Sequence, residues 1–274
     1  MPELPEVESV RRQLVPELTG RTVIDVWFDP HPEQRFSDIG LLVGRRIEAV
    51  GRRGKYLVCP LDEGVDGPLE LVLHLGMTGS FRVLSAEAPE DPHLRARFEL
   101  DDARSVRFRD PRRFGRVSVV PAGRYEGRVP TLVTLGPEPL SPAFDPATFA
   151  ADLARTRAPV KAALLGQRLV AGVGNIYADE ALWRARIHPR SRRVGAERAA
   201  LLHAAIQEVL TAAIEREGTT FRDYQMVNGA SGRYADFLDV YGKAGQPCRR
   251  CGATLRGDVV AQRGTTHCPR CQRP

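Results

Sequence analysis

Val7, Val10 and Leu14 recur at helical spacing, and Pro5 suits a first helical turn, so the pattern predicts a helix that starts almost at the chain's first residue and ends by Gly20. After Gly20 the period changes. Short β-rich segments over 22–28, 46–50, 56–60, 69–75, 80–84, 95–100, 105–109 and 116–121, separated by Gly, Pro and Asp turns, predict a sandwich or a barrel. Beyond about Pro130 the helical period returns. Asp145-Pro146 reads as an N-cap with proline in the first turn, and Pro159 opens a second helix. A third runs from Asn175 toward Arg186. A fourth carries Leu202, Ile206, Val209, Leu210 and Ala213 on one stripe and stops near Gly218. The stretch Gln225 to Tyr234 holds Asn228-Gly229 and Ser231-Gly232 but no apolar period, which predicts an irregular, mobile loop.

A chain of 274 residues with 42% hydrophobic content can bury two cores, which excludes a disordered protein. Net charge is +6 and pI about 9.3, with arginines paired at Arg11-Arg12, Arg52-Arg53 and Arg112-Arg113. Such an excess points to a polyanionic partner, although solvated faces carry charge too. Of the 40 basic residues only Lys55, Lys161 and Lys243 are lysines. A lysine kept in that background is a candidate for work needing a compact ammonium that can lose its proton. No run approaches the roughly 18 apolar residues of a membrane span, and Glu3, Glu6 and Glu8 stand where a signal peptide needs positive charge. The expected location is therefore the cytoplasm, without a membrane partner.

Two motifs carry chemistry. The tail reads Cys248-x2-Cys251-x16-Cys268-x2-Cys271, two knuckles that can supply four thiolates to one structural Zn2+. Such a closed site leaves no position for water or substrate; two disulfides or four unrelated thiols are the alternatives. The fifth cysteine, Cys59, lies in an apolar run and reads as a buried small hydrophobe. At the other end, removal of Met1 would make Pro2 a terminal secondary amine. An α-amino group titrates near 7.7 to 8.0, and the positive end of the following helix lowers that further, so the amine can act as a nucleophile. Glu3 beside it can move protons. Pro and Glu also commonly just begin helices, and both readings stand on these residues alone.

The string PELPEVE after Met1 is joined by Arg53-Gly54-Lys55-Tyr56, His74-Leu75-Gly76-Met77-Thr78-Gly79-Ser80, Asp110-Pro111-Arg112-Arg113-Phe114-Gly115, Gly172-Val173-Gly174-Asn175-Ile176-Tyr177 and the cysteine tail. In this order, across the whole chain, they closely resemble the bacterial formamidopyrimidine-DNA glycosylase family. The resemblance implies a bifunctional repair enzyme that excises 8-oxoguanine and formamidopyrimidines and cleaves the abasic strand by β,δ-elimination. Its partner is double-stranded DNA with oxidised purines or abasic sites, and a monomer is expected. It makes Pro2 the Schiff-base nucleophile on C1′ of the deoxyribose, Glu3 its acid/base partner, Lys55 a lysine near the lesion, and Arg263 a phosphate-binding residue of the zinc hairpin. Asn175 becomes a phosphate ligand at the start of a helix-two-turn-helix element. His93 matches a DNA-contacting histidine, though its neighbours depart from the family's lysine- and histidine-rich string. Arg157 and Lys161 are expected to face the same phosphate track. Met77, Arg112 and Phe114 match the trio that fills the void left by an extruded nucleotide, and the loop 225–234 is expected to cover the extruded base.

The implied fold is α+β and multidomain: an N-terminal β-sandwich with an N-terminal helix over 1–130, a helical helix-two-turn-helix domain over 131–235 and a zinc-finger hairpin over 236–274. Endonuclease VIII-like enzymes, which act on oxidised pyrimidines, share this architecture. They usually begin PEGPE and lack the Met/Arg/Phe trio. A non-enzymatic zinc-ribbon DNA-binding protein would explain charge and cysteines but neither Pro2 nor Lys55.

Overall fold

A computed structural model of the chain describes residues 1–31, 35–65, 67–220 and 225–273. They form two compact units, one of Met1–Val133 with Arg216–Arg233, the other of Thr134–Glu215 with Tyr234–Pro274.

The first unit begins with helix α1 (Leu4–Leu18), whose Val7, Val10 and Leu14 face is buried as the periodicity predicts. Strands follow as β1 (Val23–Phe28), β2 (Phe36–Ser37), β3 (Gly51–Arg53), β4 (Tyr56–Pro60), β5 (Leu69–His74), β6 (Ser80–Ser85), β7 (Leu94–Leu100), β8 (Arg104–Arg109) and β9 (Arg116–Pro121), before a short helix α2 (Pro130–Val133). Among the described residues the strands pair into two sheets, β1-β7-β8-β6 and β2-β9-β5-β4-β3. Alternation drives the packing. Phe81, Ala96, Phe98, Val106 and Phe108 from one sheet share a single core with Leu57, Leu71, Leu73, Val117 and Val119 from the other and with α1. This is the sandwich alternative of the two that the strand pattern allowed.

Three local expectations change. The strand expected over 46–50 is reduced to isolated bridges at Arg46 and Ile47, and regular pairing starts at Gly51, where β3 meets β4. β2 was not foreseen: two residues long, it pairs parallel with β9, a contact whose signal lies some eighty positions away. The described residues of 216–233, expected with the helical domain, pack instead with the first unit. Met226 and Val227 are buried in its core, Gln13 Oε1 accepts the Asn228 N–H at 3.1 Å, and Arg82 Nη2 donates to Gln225 Oε1 at 2.7 Å. The part of 225–234 within this unit is therefore docked by two apolar anchors.

The second unit holds α3 (Pro146–Arg155), α4 (Val160–Leu165), α5 (Asn175–Arg184) and α6 (Ala196–Glu215), then the hairpin β10 (Arg256–Val260) and β11 (Arg263–His267). Asp145 caps α3 by accepting the Thr148 N–H at 2.7 Å, worth about 1 kcal/mol. The α6 stripe buries Leu202, Ile206, Val209, Leu210 and Ala213 against Ala178, Ala181 and Leu182 of α5. No helix among the described residues is long and apolar enough to cross a membrane.

Candidate active site and zinc centre

In the first unit, Pro2 and Glu3 are buried at the positive end of α1. A capping box holds them: the Glu3 carboxylate accepts the Glu6 N–H, and Glu6 Oε2 accepts the Glu3 N–H at 2.7 Å. The other oxygen of Glu6 accepts the Thr219 N–H at 2.7 Å. Glu6 is 1% exposed, and this buried carboxylate fixes the backbone of Glu3 and of Thr219 at once. Sequence reading passed over Glu6; its signal was the E-x-x-E spacing of a capping box.

Lys55 sits in the two-residue turn between β3 and β4, where Gly54 takes a positive φ of 57°. Arg52 secures that turn to α1, since its Nη1 donates to the Gly54 carbonyl at 3.0 Å and its Nε to Glu8 at 3.1 Å. Lys55 is largely buried. The nearby His74 is held neutral: burial first, then the charges of Lys55, Arg116 and Arg35, bring its pKa down to about 4. Its Nδ1 accepts the Gly76 N–H at 3.1 Å, leaving the proton on Nε2.

Met77, Arg112 and Phe114 are all exposed, at 37% and 40% for the two apolar members, on loops following β5 and β8. Asp110, fully buried, ties the loops together. It accepts the Thr78 hydroxyl, the Arg112 N–H at 3.2 Å and the Gly115 N–H at 2.7 Å. Its own N–H donates to the His93 carbonyl at 2.9 Å, which brings His93 to the same cluster. Gly76, at φ 65°, lets the loops touch; a Cβ there would lie 2.5 Å from the Phe114 carbonyl carbon. Arg112 lies over the Phe114 ring at 5.0 Å. Beside them opens a cavity of about 580 Å³ lined by Thr78, Arg82, Arg107, Arg109, Arg112 and Gln225 among others.

In the second unit, Asn175 starts α5 after Gly172 and Gly174, and its Nδ2 donates to the Gly264 carbonyl at 3.0 Å. Arg263 is exposed at the first position of β11, and Arg157 is exposed. Lys161 is not. Its side chain is 0% exposed and paired with Asp179 at 2.6 Å, so the expectation of an outward lysine on a phosphate track is corrected. The apolar pattern of α4 could not reveal this, because the acceptor lies on another helix.

The four cysteines converge. Their sulfurs all lie within 4.8 Å of one another, near the roughly 3.7 Å edge of a tetrahedron with Zn–S bonds of about 2.3 Å. Four soft donors with no carboxylate or water position fit one structural zinc ion. The hairpin turns bring backbone N–H groups to the sulfurs, as Cys271 N–H to Cys268 Sγ at 3.3 Å. Trp183 on α5 donates its indole N–H to Cys248 Sγ at 3.4 Å, and Arg250 stacks on that indole at 4.0 Å. Burial opposes ionisation of Cys248, yet the Trp183 and backbone N–H groups bring its thiol down to about 6. Trp183 and Asp179 were not singled out by sequence reading. Cys59, by contrast, is fully buried and burial pushes its thiol up to about 12, the inert small hydrophobe expected.

Comparison with known proteins agrees along the chain's length. Residues 1–117 match the formamidopyrimidine-DNA glycosylase N-terminal domain, 135–225 the formamidopyrimidine-DNA glycosylase H2TH domain, and 245–274 the zinc finger found in FPG and IleRS. The formamidopyrimidine-DNA glycosylase of Deinococcus radiodurans is 46% identical, with 99% of this chain and 97% of that protein covered. The crystal structure of the MutM (Fpg) protein from Thermus thermophilus superposes with a TM-score of 0.90 at 46% identity, covering 99% and 98% of the two chains. A Lactococcus lactis FPG mutant, solved in complex with a Fapy-dG containing DNA, gives a TM-score of 0.89 at 34% identity over the full length of both chains. With its fold, zinc-binding cysteines and N-terminal motif all matched, the chain belongs to the formamidopyrimidine-DNA glycosylase family.

Proposed function

We propose that this protein removes oxidised purines, 8-oxoguanine and formamidopyrimidines, from double-stranded DNA and then cleaves the abasic strand. The observation that carries the reading is the N-terminal constellation: Pro2 buried at the positive end of α1 and the adjacent Glu3 fixed by the Glu6 carboxylate. After removal of Met1, the secondary amine of Pro2 attacks C1′ of the damaged nucleotide. The glycosidic bond breaks, the base leaves with a proton, and ring opening gives an iminium ion. Glu3 supplies and takes up protons at the sugar. Loss of the C2′ proton then expels the 3′-phosphate, a second elimination expels the 5′-phosphate, and hydrolysis frees the amine. Lys55 assists at the backbone of the same nucleotide.

Binding divides among the other residues. Asn175 and Arg263 grip phosphates, one at a helix start and the other through a permanently charged fork. A base must leave the duplex before its sugar is reached, and Met77, Arg112 and Phe114 fill the space it vacates. His93 and Arg157 contact the flanking backbone. Zinc, when bound, closes the hairpin that carries Arg263 and takes no part in bond cleavage. One chain carries every group, so the working form is a monomer, in the reducing cytoplasm that keeps its cysteines from forming disulfides.

Borohydride trapping tests the reading. The processed protein should become covalently attached to a duplex with 8-oxoguanine opposite cytosine, more readily than to one with thymine glycol opposite adenine. A form that retains Met1, verified by mass, should not trap on an abasic site. Trapping by that form would move the nucleophile elsewhere, with Lys55 the first residue to examine.

A further inference from the structure

Lys161 lies too deep to touch DNA, yet its ammonium is placed with care. Its Nζ forms an ion pair with Asp179 Oδ1 at 2.6 Å and donates to the Thr265 hydroxyl at 2.8 Å and to the Gly264 carbonyl at 3.1 Å. The other oxygen of Asp179 accepts the Thr266 N–H at 2.9 Å. The Thr265 hydroxyl passes the contact on by donating to the Arg263 carbonyl at 3.0 Å, and Asn175 shares the Gly264 carbonyl at 3.0 Å. Four consecutive residues of β11, from Arg263 to Thr266, are thus each held by a polar bond of this network. Both charges are fully buried. Such a pair is weak evidence for stability, since well-packed apolar residues often do as well; what it supplies is a defined geometry. Three acceptors converging on one point suit an ammonium and not the planar fork of arginine, which accounts for a lysine surviving among 40 basic residues.

We propose that Lys161 and Asp179 are positioning residues that hold β11 against α4 and α5, so that Arg263 and Asn175 present their donors to the DNA backbone as one phosphate clamp. The inference rests on the reading of Arg263 and Asn175 as phosphate ligands. Thr265 is the relay. The turn before β11 is costly in backbone conformation, since Ala261 and Gln262 both take positive φ, 50° and 58°, without being glycine.

The test uses the full-length, zinc-loaded protein and a duplex with a tetrahydrofuran abasic analogue, measuring Kd across a range of salt. Lys161→Met and Thr265→Val should each weaken binding roughly tenfold. Each should also lower the slope of log K against log salt by about 0.9, the signature of one lost phosphate contact, which a generally loosened fold would not produce. Thr265→Ser, which keeps the hydroxyl, should bind like the parent. Adding Lys161→Met to a variant that already carries Arg263→Ala and Asn175→Ala should cost nothing further, because both positioned groups are already gone. A further loss on adding Lys161→Met to that background, or parent-like binding by Thr265→Val, would overturn the proposal. Should Lys161→Met lose zinc or fail to fold, the Thr265 pair decides alone. If Arg263→Ala leaves both Kd and slope unchanged, the phosphate reading itself falls and the inference with it.

Discussion

At the scale of single residues, the chemistry depends on a few buried carboxylates that fix other groups. Glu8 on α1 binds Arg11, Arg12 and Arg52. Burial opposes its ionisation, but the hydrogen bonds and charges of Arg11 and Arg52 outweigh it and bring the carboxyl from 4.5 to about 2. A lowered carboxyl stabilises the fold fully above its unfolded value and ceases to do so as pH falls through the folded one. Glu8→Gln should therefore cost up to about 3 kcal/mol above pH 4.5, with the difference from the parent shrinking toward pH 2 in denaturant melts. Trp183 acts on the zinc site in a comparable way. Trp183→Phe keeps the ring but drops the N–H to Cys248, and zinc transfer to a chelator should become roughly tenfold easier, followed with a metal-sensitive dye. Of these residues, sequence exposed those whose chemistry is local: cysteine spacing, an amine next to a carboxylate, a lysine in an arginine-rich chain. Asp110, Asp179 and Trp183 were hidden because each is defined by a partner distant in the chain, whereas Glu6 carried a local signal in the E-x-x-E spacing and only its bond to Thr219 was out of reach.

Among the elements, the hairpin and the loops after β5 and β8 carry the clearest consequences. The tip of the zinc hairpin is a two-residue turn between Val260 and Arg263 with both central residues left-handed. Ala261→Asn with Gln262→Gly supplies residues that adopt this conformation readily, and should slow zinc release and raise the melting temperature without altering cleavage. Asp110→Ala should unfasten the loops of Met77, Arg112 and Phe114. Cleavage of 8-oxoguanine opposite cytosine should fall at least tenfold, while elimination at a single-stranded abasic site, where no void needs filling, stays near the parent rate. Equal loss on both substrates would show that Asp110 holds more than the loops. The long strands and helices were legible because β-branched alternation and the 3.6 period each persist over a whole element. The strand expected at 46–50 begins later, since Arg46 and Ile47 meet partners only as single bridges. β2 is too short to show any period at all.

Among the described residues the molecule divides into two compact units, and the zinc hairpin belongs to the second. Asp179 holds β11, while Glu180 accepts the N–H groups of Asp239, Val240 and Tyr241 at 2.8 to 2.9 Å. Loss of the metal should therefore reach the helices. Cys268→Ser should release zinc and weaken DNA binding, and in calorimetry it should lower the transition of the Thr134–Glu215 and Tyr234–Pro274 unit while leaving the sandwich transition in place. The first unit has a different dependence, set by where its parts lie in the chain. Glu6 needs the Thr219 N–H, and the sandwich core needs Met226 and Val227. As the protein is made, the sandwich strands leave the ribosome with one buried carboxylate lacking that partner and a gap in their apolar core. At about 5 to 20 residues per second, several seconds pass between the emergence of β9 and the arrival of those closing residues. For that interval the nascent sandwich has an unfinished apolar core, and the ribosome's pace on the intervening hundred or so codons decides how long it stays open to chaperones and to wrong partners.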